Sequence, residues 1–459
     1  MEFIMFRQQV ITLVALSGLL ALGQTEPPKT PGSESVNLQA VLQRLADLDK
    51  QNEDLRKKIL ALEQNQAKQE ADVAAVKTAA ATSYVAAVSS ATPPSLLTKA
   101  ANGIQIKPYG YVKFDAAYDT ARTAWGDAAF FVYPTTYAGG DKKELTFGAR
   151  ESRLGANIIA PEQNGIKITG RIEGDLYENV STENSYTPRL RLAYLDAAWG
   201  DGWSVRAGQD WDTYVSVLPK ENDAAILGYT GNLYGRHPQV RLTKVTKLSD
   251  STQITTKFAV QDGRNGSDID KDSQADENAA AVPNLHASAA LQTKLLTDKF
   301  STFALSGAYG REKLSGTTNP GNYDSLLVHG GVLLPITQKF SLQGTLWAGE
   351  NVDNYLGGIG QGINATDGTE VQAYGGWAQG IYDFNKKWSV SLGYGFDNPD
   401  DADLAGDART LNERLFTNVF YKLTDAVTLS AEYSYFTTSY ALTDSVTDNR
   451  IQLGAQYSF

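Results

Sequence analysis

The chain has 459 residues, with 41 Lys+Arg against 52 Asp+Glu and a formal net charge of −11. That balance excludes a general nucleic-acid binder, which needs a basic footprint, and the absence of cysteine excludes disulfide scaffolds, thiolate metal sites and iron–sulfur clusters. Three scattered histidines (His237, His286 and His329) leave little for a metal cage, and a mean hydropathy of −0.31 argues against a bundle of membrane helices while permitting a membrane β-barrel, in which every second residue is polar.

Residues 1–23 read as a signal peptide. Arg7 precedes an apolar run from Val10 to Leu22, and the stretch Ala21-Leu22-Gly23 offers a small-residue cleavage site. The run is short for a membrane span, so the mature chain is expected to leave the cytoplasm. Residues 36–77 then carry a heptad pattern on Leu38, Val41, Leu45, Leu48, Leu55, Ile59, Leu62, Val73 and Val76, interrupted by Asn52, Gln66 and Gln69. A repeat of 3.5 residues keeps one stripe facing partner helices, which predicts a self-associating coiled-coil stalk. Its other faces, crowded with Gln, Lys, Glu and Asp, suit a solvated stalk. Residues 78–103, rich in Ala, Ser, Thr and Pro, read as a linker.

From 104 to 459 the period changes to two. In the last strand Ile451, Leu453, Ala455, Tyr457 and Phe459 share one side, while Arg450, Gln452, Gly454, Gln456 and Ser458 share the other. Trp388–Phe396, Val427–Tyr435 and Phe340–Leu346 alternate in the same way. Short links such as Gly200-Asp201-Gly202, Thr337-Gln338-Lys339 and Asn385-Lys386-Lys387 recur every second strand, with long polar segments between. Turns short at one end and loops long at the other characterise a transmembrane barrel. The rhythm predicts an all-β barrel of about 16 antiparallel strands. They begin near Ile104, Leu145, Ile166, Arg189, Trp203, Gln239, Thr252 and Leu285, then Phe300, Ser325, Phe340, Val371, Trp388, Leu411, Val427 and Arg450.

A cleaved leader, a heptad stalk, a strand-rich body and the ending Gln456-Tyr457-Ser458-Phe459 resemble the DcaP-like porins. The phrases Ile106-Lys107-Pro108-Tyr109-Gly110-Tyr111-Val112-Lys113-Phe114-Asp115 and Arg150-Glu151-Ser152-Arg153-Leu154-Gly155 add to the resemblance. It implies a homotrimer in the bacterial outer membrane, in contact with lipid and lipopolysaccharide, the stalk in the periplasm. It also implies that Phe459 is the signal read by the barrel-assembly machinery.

A barrel of this size leaves an aqueous channel, whose selectivity rests on lumen side chains and on any loop that narrows it. Basic residues gather on the polar phase of the early strands: Lys107, Lys113, Lys167, Arg171, Arg189, Arg191, Arg206 and Arg241, joined by Arg153 if the second strand keeps register. Guanidinium groups on a wet wall favour carboxylates and phosphates, which predicts a mild preference for small organic anions such as dicarboxylates. The competing reading pairs these cations with Asp115, Glu173, Asp175 and Asp210 as wall braces. The segment from Asp212 to His237 is the candidate constriction loop, with Asp212, Tyr214, Glu221, Asp223, Tyr229, Tyr234 and Arg236; its inward folding is expected mainly by resemblance to porins.

Trp211, Tyr214, Tyr229 and Tyr234 also admit a carbohydrate channel with sugars stacked on aromatic faces, and the stalk admits a tether reaching peptidoglycan. No histidine has a nucleophile or acid constellation around it, so no enzyme is expected, and no cofactor or metal is implied. His286 and His329 read as solvated wall residues, the acidic segments around Asp268 and Asp400 as outer loops. Asp268-x-Asp270-x-Asp272 begins like a calcium loop but lacks its glycine and terminal glutamate. Asp196 shares a face with Leu192 and Tyr194, hinting that the early strands meet other subunits.

Overall fold

The computed structural model describes residues 103–177, 187–262 and 280–459, with isolated positions outside those ranges. The proposed signal peptide (1–23) lies outside the described residues. So does most of the proposed stalk (36–77), in which Gln43, Lys50, Glu53, Lys57 and Lys58 are helical and exposed. Of the proposed linker, Thr98, Lys99 and Gly103 are described, and Thr98–Lys99 pairs with Gln105 and Ile106. The Asp268–Asp272 stretch also falls outside the described residues.

One antiparallel sheet makes the body. Its staves are β1 (Gln105–Asp119), β2 (Glu144–Gly148) continued by β3 (Arg153–Ile159), β4 (Ile166–Asp175), β5 (Arg189–Trp199), β6 (Trp203–Trp211), β7 (Arg236–Ser249), β8 (Thr252–Gln261) and β9 (Asn284–Thr293). They continue with β10 (Ser301–Leu314), β11 (Gly321–Pro335), β12 (Phe340–Glu350), β13 (Gln372–Asp383), β14 (Trp388–Pro399), β15 (Arg409–Lys422), β16 (Val427–Tyr440) and β17 (Val446–Ser458). Because β2 and β3 both lie against β1, the wall has 16 staves.

The sheet closes on itself: β17 pairs with β1 from Tyr111 opposite Ser458 to Asp119 opposite Arg450. Phe459 completes the seam, exchanging two backbone hydrogen bonds with Gly110 at 3.2 and 3.1 Å. Closure removes every sheet edge, the condition for strands to cross hydrocarbon.

Burial is inverted relative to a water-soluble protein. Along β1, Val112, Phe114 and Tyr118 are exposed while Lys113, Asp115 and Asp119 are buried. Along β17, Ile451, Leu453 and Tyr457 are exposed while Arg450 and Gln452 are buried. The period-two alternation thus puts the apolar face outside and the polar face within.

Two irregularities depart from the sequence expectations. The stave expected from Leu145 breaks at Ala149–Ser152, and its halves are out of phase, Leu145 and Phe147 facing outward before the break and Leu154 and Ile158 after it. The break aims Arg150 at Asp127 and Glu151 at Lys113, while Ser152 Oγ accepts the Lys113 N–H at 3.0 Å. The mixed face of β5 has a second cause, a register shift opposite Glu173–Gly174. It turns Leu192, Tyr194 and Asp196 inward, where Asp196 pairs with Arg206 at 2.9 Å. That face is lumen, so it carries no sign of subunit contact.

The seam is testable. Deleting 446–459 leaves β1 with an unpaired edge, which costs several kcal/mol for each orphaned group in lipid. The shortened chain is expected to lose the heat-dependent gel mobility of a closed barrel, which deletion of 36–77 should preserve.

Candidate permeation path

The segment 212–235, between β6 and β7, lies inside the barrel and reaches the opposite wall. Lys220 N–H donates to Gln379 Oε1 at 2.9 Å and its Nζ to Ser389 Oγ at 2.6 Å. The indoles of Trp347 and Trp377 donate to Gly231 O and Asn232 Oδ1 at 2.9 and 3.1 Å. The backbone winds tightly, with Ile226, Leu227 and Tyr229 at φ of 43°, 57° and 58°, a conformation costly for residues with a Cβ. Gly231, at φ +99°, packs against the wall, and a Cβ there would sit 2.1 Å from Gly376 O.

Two buried arginines offset that strain. Arg414 lies 3.4, 3.2 and 3.0 Å from Glu221, Asp223 and Glu432, and Arg450 lies 2.8 Å from Asp119 and 3.3 Å from Asp223. Burial pushes the Asp223 carboxyl up, but Arg414, Arg450 and the N–H groups of Ala225 and Ala129 outweigh it and hold the group below its ordinary range. Glu221 goes the other way. Its burial, with Glu432 and Asp223 adding repulsion, outweighs the pull of Arg414 and holds it well above its ordinary range.

Two further loops fold in that the sequence did not announce. In 120–143, Asn412 Nδ2 donates to Phe130 O at 2.8 Å and Tyr440 OH to Val132 O. In 351–371, Val352 and Tyr355 join Trp347, Leu233 and Tyr214 in a buried cluster. His286 and His329 lie beneath it, 0% and 1% exposed, with ring centroids 5.7 and 5.8 Å from Tyr214. They are packed wall residues, not solvated ones. Asp397 is likewise buried, accepting Ile359 N–H at 3.1 Å, instead of lying in an outer loop.

With that side filled, the open space lies along β3–β8. A cavity of about 430 Å³ is bounded on the wall by Arg171, Tyr194, Arg206, Arg241 and Lys257, and on the loop by Val215, Ser216, Val217 and Leu218. Nearer the long-loop end, a tighter space of about 70 Å³ is bounded by Arg153, Arg189, Arg191 and Arg236 beneath Trp125 and Phe130. In both cavities the wall carries more cations than carboxylates, the latter being Glu151, Asp175 and Asp210, and the loop side is largely apolar.

Carboxylates brace this wall but are shared. Glu173 serves Arg153 at 3.7 Å and Arg191 at 2.8 Å; Asp175 serves Arg189 at 2.7 Å and Arg191 at 2.9 Å; Asp210 serves Arg206 at 2.6 Å and Arg241 at 2.7 Å. Arg171, Arg236 and Lys257 have no carboxylate partner among the described residues. Rings hold several guanidinium planes: Arg206 lies 3.9 Å from the Tyr194 centroid, Arg236 4.7 Å from Trp211 and Arg153 5.2 Å from Tyr111. Stacking fixes the plane and leaves the N–H edge to an anion.

The other sequence candidates sit elsewhere. Lys113 is buried between Asp115, Glu151 and Asn222 O, while Lys107 and Lys167 are exposed near the short-turn end. Asp212 is buried, with His237 Nδ1 at 2.9 Å and Tyr214 OH donating to it at 2.8 Å. Tyr234 OH donates to Ala225 O at 3.0 Å, and Tyr229 packs on Phe130 at 5.3 Å. Lys257 was missed, although it lies in strand phase with Ala259 and one ladder away from Arg241.

No protein-family model matches the chain, and no curated protein sequence does. Solved structures do. The outer membrane channel DcaP of Acinetobacter baumannii is 22% identical over 79% of this chain and 99% of its own, with a TM-score of 0.64. OmpT, an outer membrane protein of Vibrio cholerae, is 16% identical over 79% of this chain and 99% of its own, at 0.50. An anion-selective porin from Comamonas acidovorans is 13% identical over 78% and 100%, also at 0.50. The likeness is one of fold: this chain has the 16-stranded porin barrel.

The anchor sets two expectations. Arg414→Ala leaves buried carboxylates without their cation, a loss of about 3–5 kcal/mol, and is expected to lower the unfolding temperature while raising single-channel conductance. In the unaltered protein, the stability that Asp223 contributes is present above its unfolded value of about 3.9 and is lost as pH falls through its lowered folded value. Through Asp223, conductance should therefore climb in strong acid, as the loop loses that anchor.

Proposed function

We propose that the chain is a porin of the bacterial outer membrane that passes small hydrophilic solutes by passive diffusion and favours small organic anions such as dicarboxylates. The carrying observation is a pair of cavities with cationic walls, one lined by Arg153, Arg189, Arg191 and Arg236 nearer the long loops, the other by Arg171, Arg206, Arg241 and Lys257. A carboxylate leaving one fork meets the next, each contact charge-assisted and none enclosing. The shared carboxylates keep the wall positive without letting any station hold its anion for long.

The carbohydrate reading has less support. Both Arg236 and Arg191 lie over Trp211, at 4.7 and 5.7 Å from its centroid, and Tyr214 and Tyr234 are buried in the loop. Tyr229 packs on Phe130 at 5.3 Å, so each of the four rings read as a sugar path is taken up by a guanidinium or by loop packing. The proposal extends to a homotrimer with a periplasmic coiled-coil stalk able to reach peptidoglycan, to lipopolysaccharide around the outer rim, and to Phe459 as the assembly signal. Its exposed ring and its place at the seam suit that last role.

Reversal potentials across a salt gradient test the selectivity. In water a unit charge about 7 Å from the permeant ion is worth ~0.6 kcal/mol, a factor of ~3. Because the charge attracts the anion and repels the cation alike, Arg171→Gln, Arg241→Gln and Lys257→Gln should each lower the anion-to-cation permeability ratio by the square of that factor, ~8-fold. A cation-selective wild type would sink the anion reading. Deleting 36–77 should leave conductance unchanged and weaken the envelope if the stalk is a tether.

A further inference from the structure

The outer wall over β10–β14 is not an even apolar belt. Exposed Leu305, Leu342, Leu346, Leu392 and Tyr394 stand around Gly330, Gly344 and Gly376 and enclose a groove of about 1080 Å³. It runs from the short-turn ends of these strands toward mid-barrel, since it also takes in Phe303, Val332 and Gly380. The turns at its open end carry Lys299, Lys339, Lys386 and Lys387 against Asp298 and Asp383, all exposed, a net positive rim. Lys339, Lys386 and Lys387 have no ion-pair partner among the described residues, and Lys299 Nζ donates to Gln338 O at 2.8 Å. Trp388 stacks on Tyr421 at 4.3 Å and Tyr382 meets Phe384 at 4.9 Å at the same end, an aromatic level characteristic of the headgroup boundary.

We propose that this groove is a docking site for an anionic glycerophospholipid, one acyl chain lying in it and the phosphate held by the lysine turns. The proposal rests on reading the chain as a membrane barrel whose short turns face the periplasm. An apolar trough beginning beneath a basic rim matches a molecule with a negative head and a hydrocarbon tail. A zwitterionic lipid fits the trough but gains nothing net from the rim. A second copy of the chain would have to bring its surface against unpaired lysines, which disfavours the groove as a subunit contact.

The test uses the full-length purified protein in mild detergent, titrated with phosphatidylglycerol or phosphatidylcholine of identical chains and read by native mass spectrometry. Each protomer should retain phosphatidylglycerol in preference. The preference should fall roughly fivefold for each lysine removed in Lys339→Gln and Lys387→Gln, and stay unchanged in Lys247→Gln on another part of the rim. Gly330→Leu, where an added Cβ has 3.9 Å to the nearest atoms, should weaken retention of both lipids. Equal retention of the two lipids by the wild type overturns the proposal, as does indifference to the lysine changes. Dissociation of the oligomer by Gly330→Leu also overturns it, making the groove a subunit contact. Conductance in neutral-lipid bilayers should be the same throughout; its absence from the wild type would defeat the porin reading itself.

Discussion

The whole architecture answers one requirement: within hydrocarbon no backbone N–H or C=O can be left to solvent. A helix satisfies it locally. This chain instead satisfies it globally, through a sheet that has no edge once Val446–Ser458 has met Gln105–Asp119. Everything else follows from that ring. Lipid outside and water inside impose the two-residue alternation, and the ring is wide enough that the interior must be furnished with loops.

That furnishing is uneven, and the unevenness makes the path. Segments 212–235 and 351–371 crowd against the walls around Trp347 and Trp377, leaving free volume along β3–β8. There the chain, acidic as a whole, presents arginines in excess of the carboxylates that brace them. Net charge describes the surface exposed to bulk solvent poorly and this wall not at all. Bracing does not use up these arginines, since Glu173, Asp175 and Asp210 each tie down two cations, which leaves the proposed role in selectivity compatible with it.

Most of the wall was legible in the sequence because strand period and turn length are local signals. Ile166, Arg189, Trp203, Thr252, Phe340, Trp388 and Val427 begin staves where alternation placed them, while those expected from Ser325 and Arg450 start earlier, at Gly321 and Val446. The kink at Ala149–Ser152 and the register shift on β5 escaped because tertiary partners cause them: Asp127, Lys113 and Arg206 are remote from or out of phase with the residues they hold. The same reason hid the inward turn of 120–143 and 351–371. Polar, glycine-containing segments look alike whether water or a barrel interior solvates them. The burial of His286 and His329 follows from Tyr214 on 212–235 and Tyr355 on 351–371 coming against them, contacts that no periodicity encodes.

Arg450 links the C-terminal stave to both the first stave and the inner loop. It sits on the final stave, yet one guanidinium grips both Asp119 at the end of the first stave and Asp223 at the tip of the inner loop. The loop therefore cannot be fully fastened until the C-terminal ribbon has arrived. The staves that carry Trp347, Trp377 and Arg414 hold the loop from the other walls, and the contact between Arg450 and Asp223 is one that only the closed ring supplies.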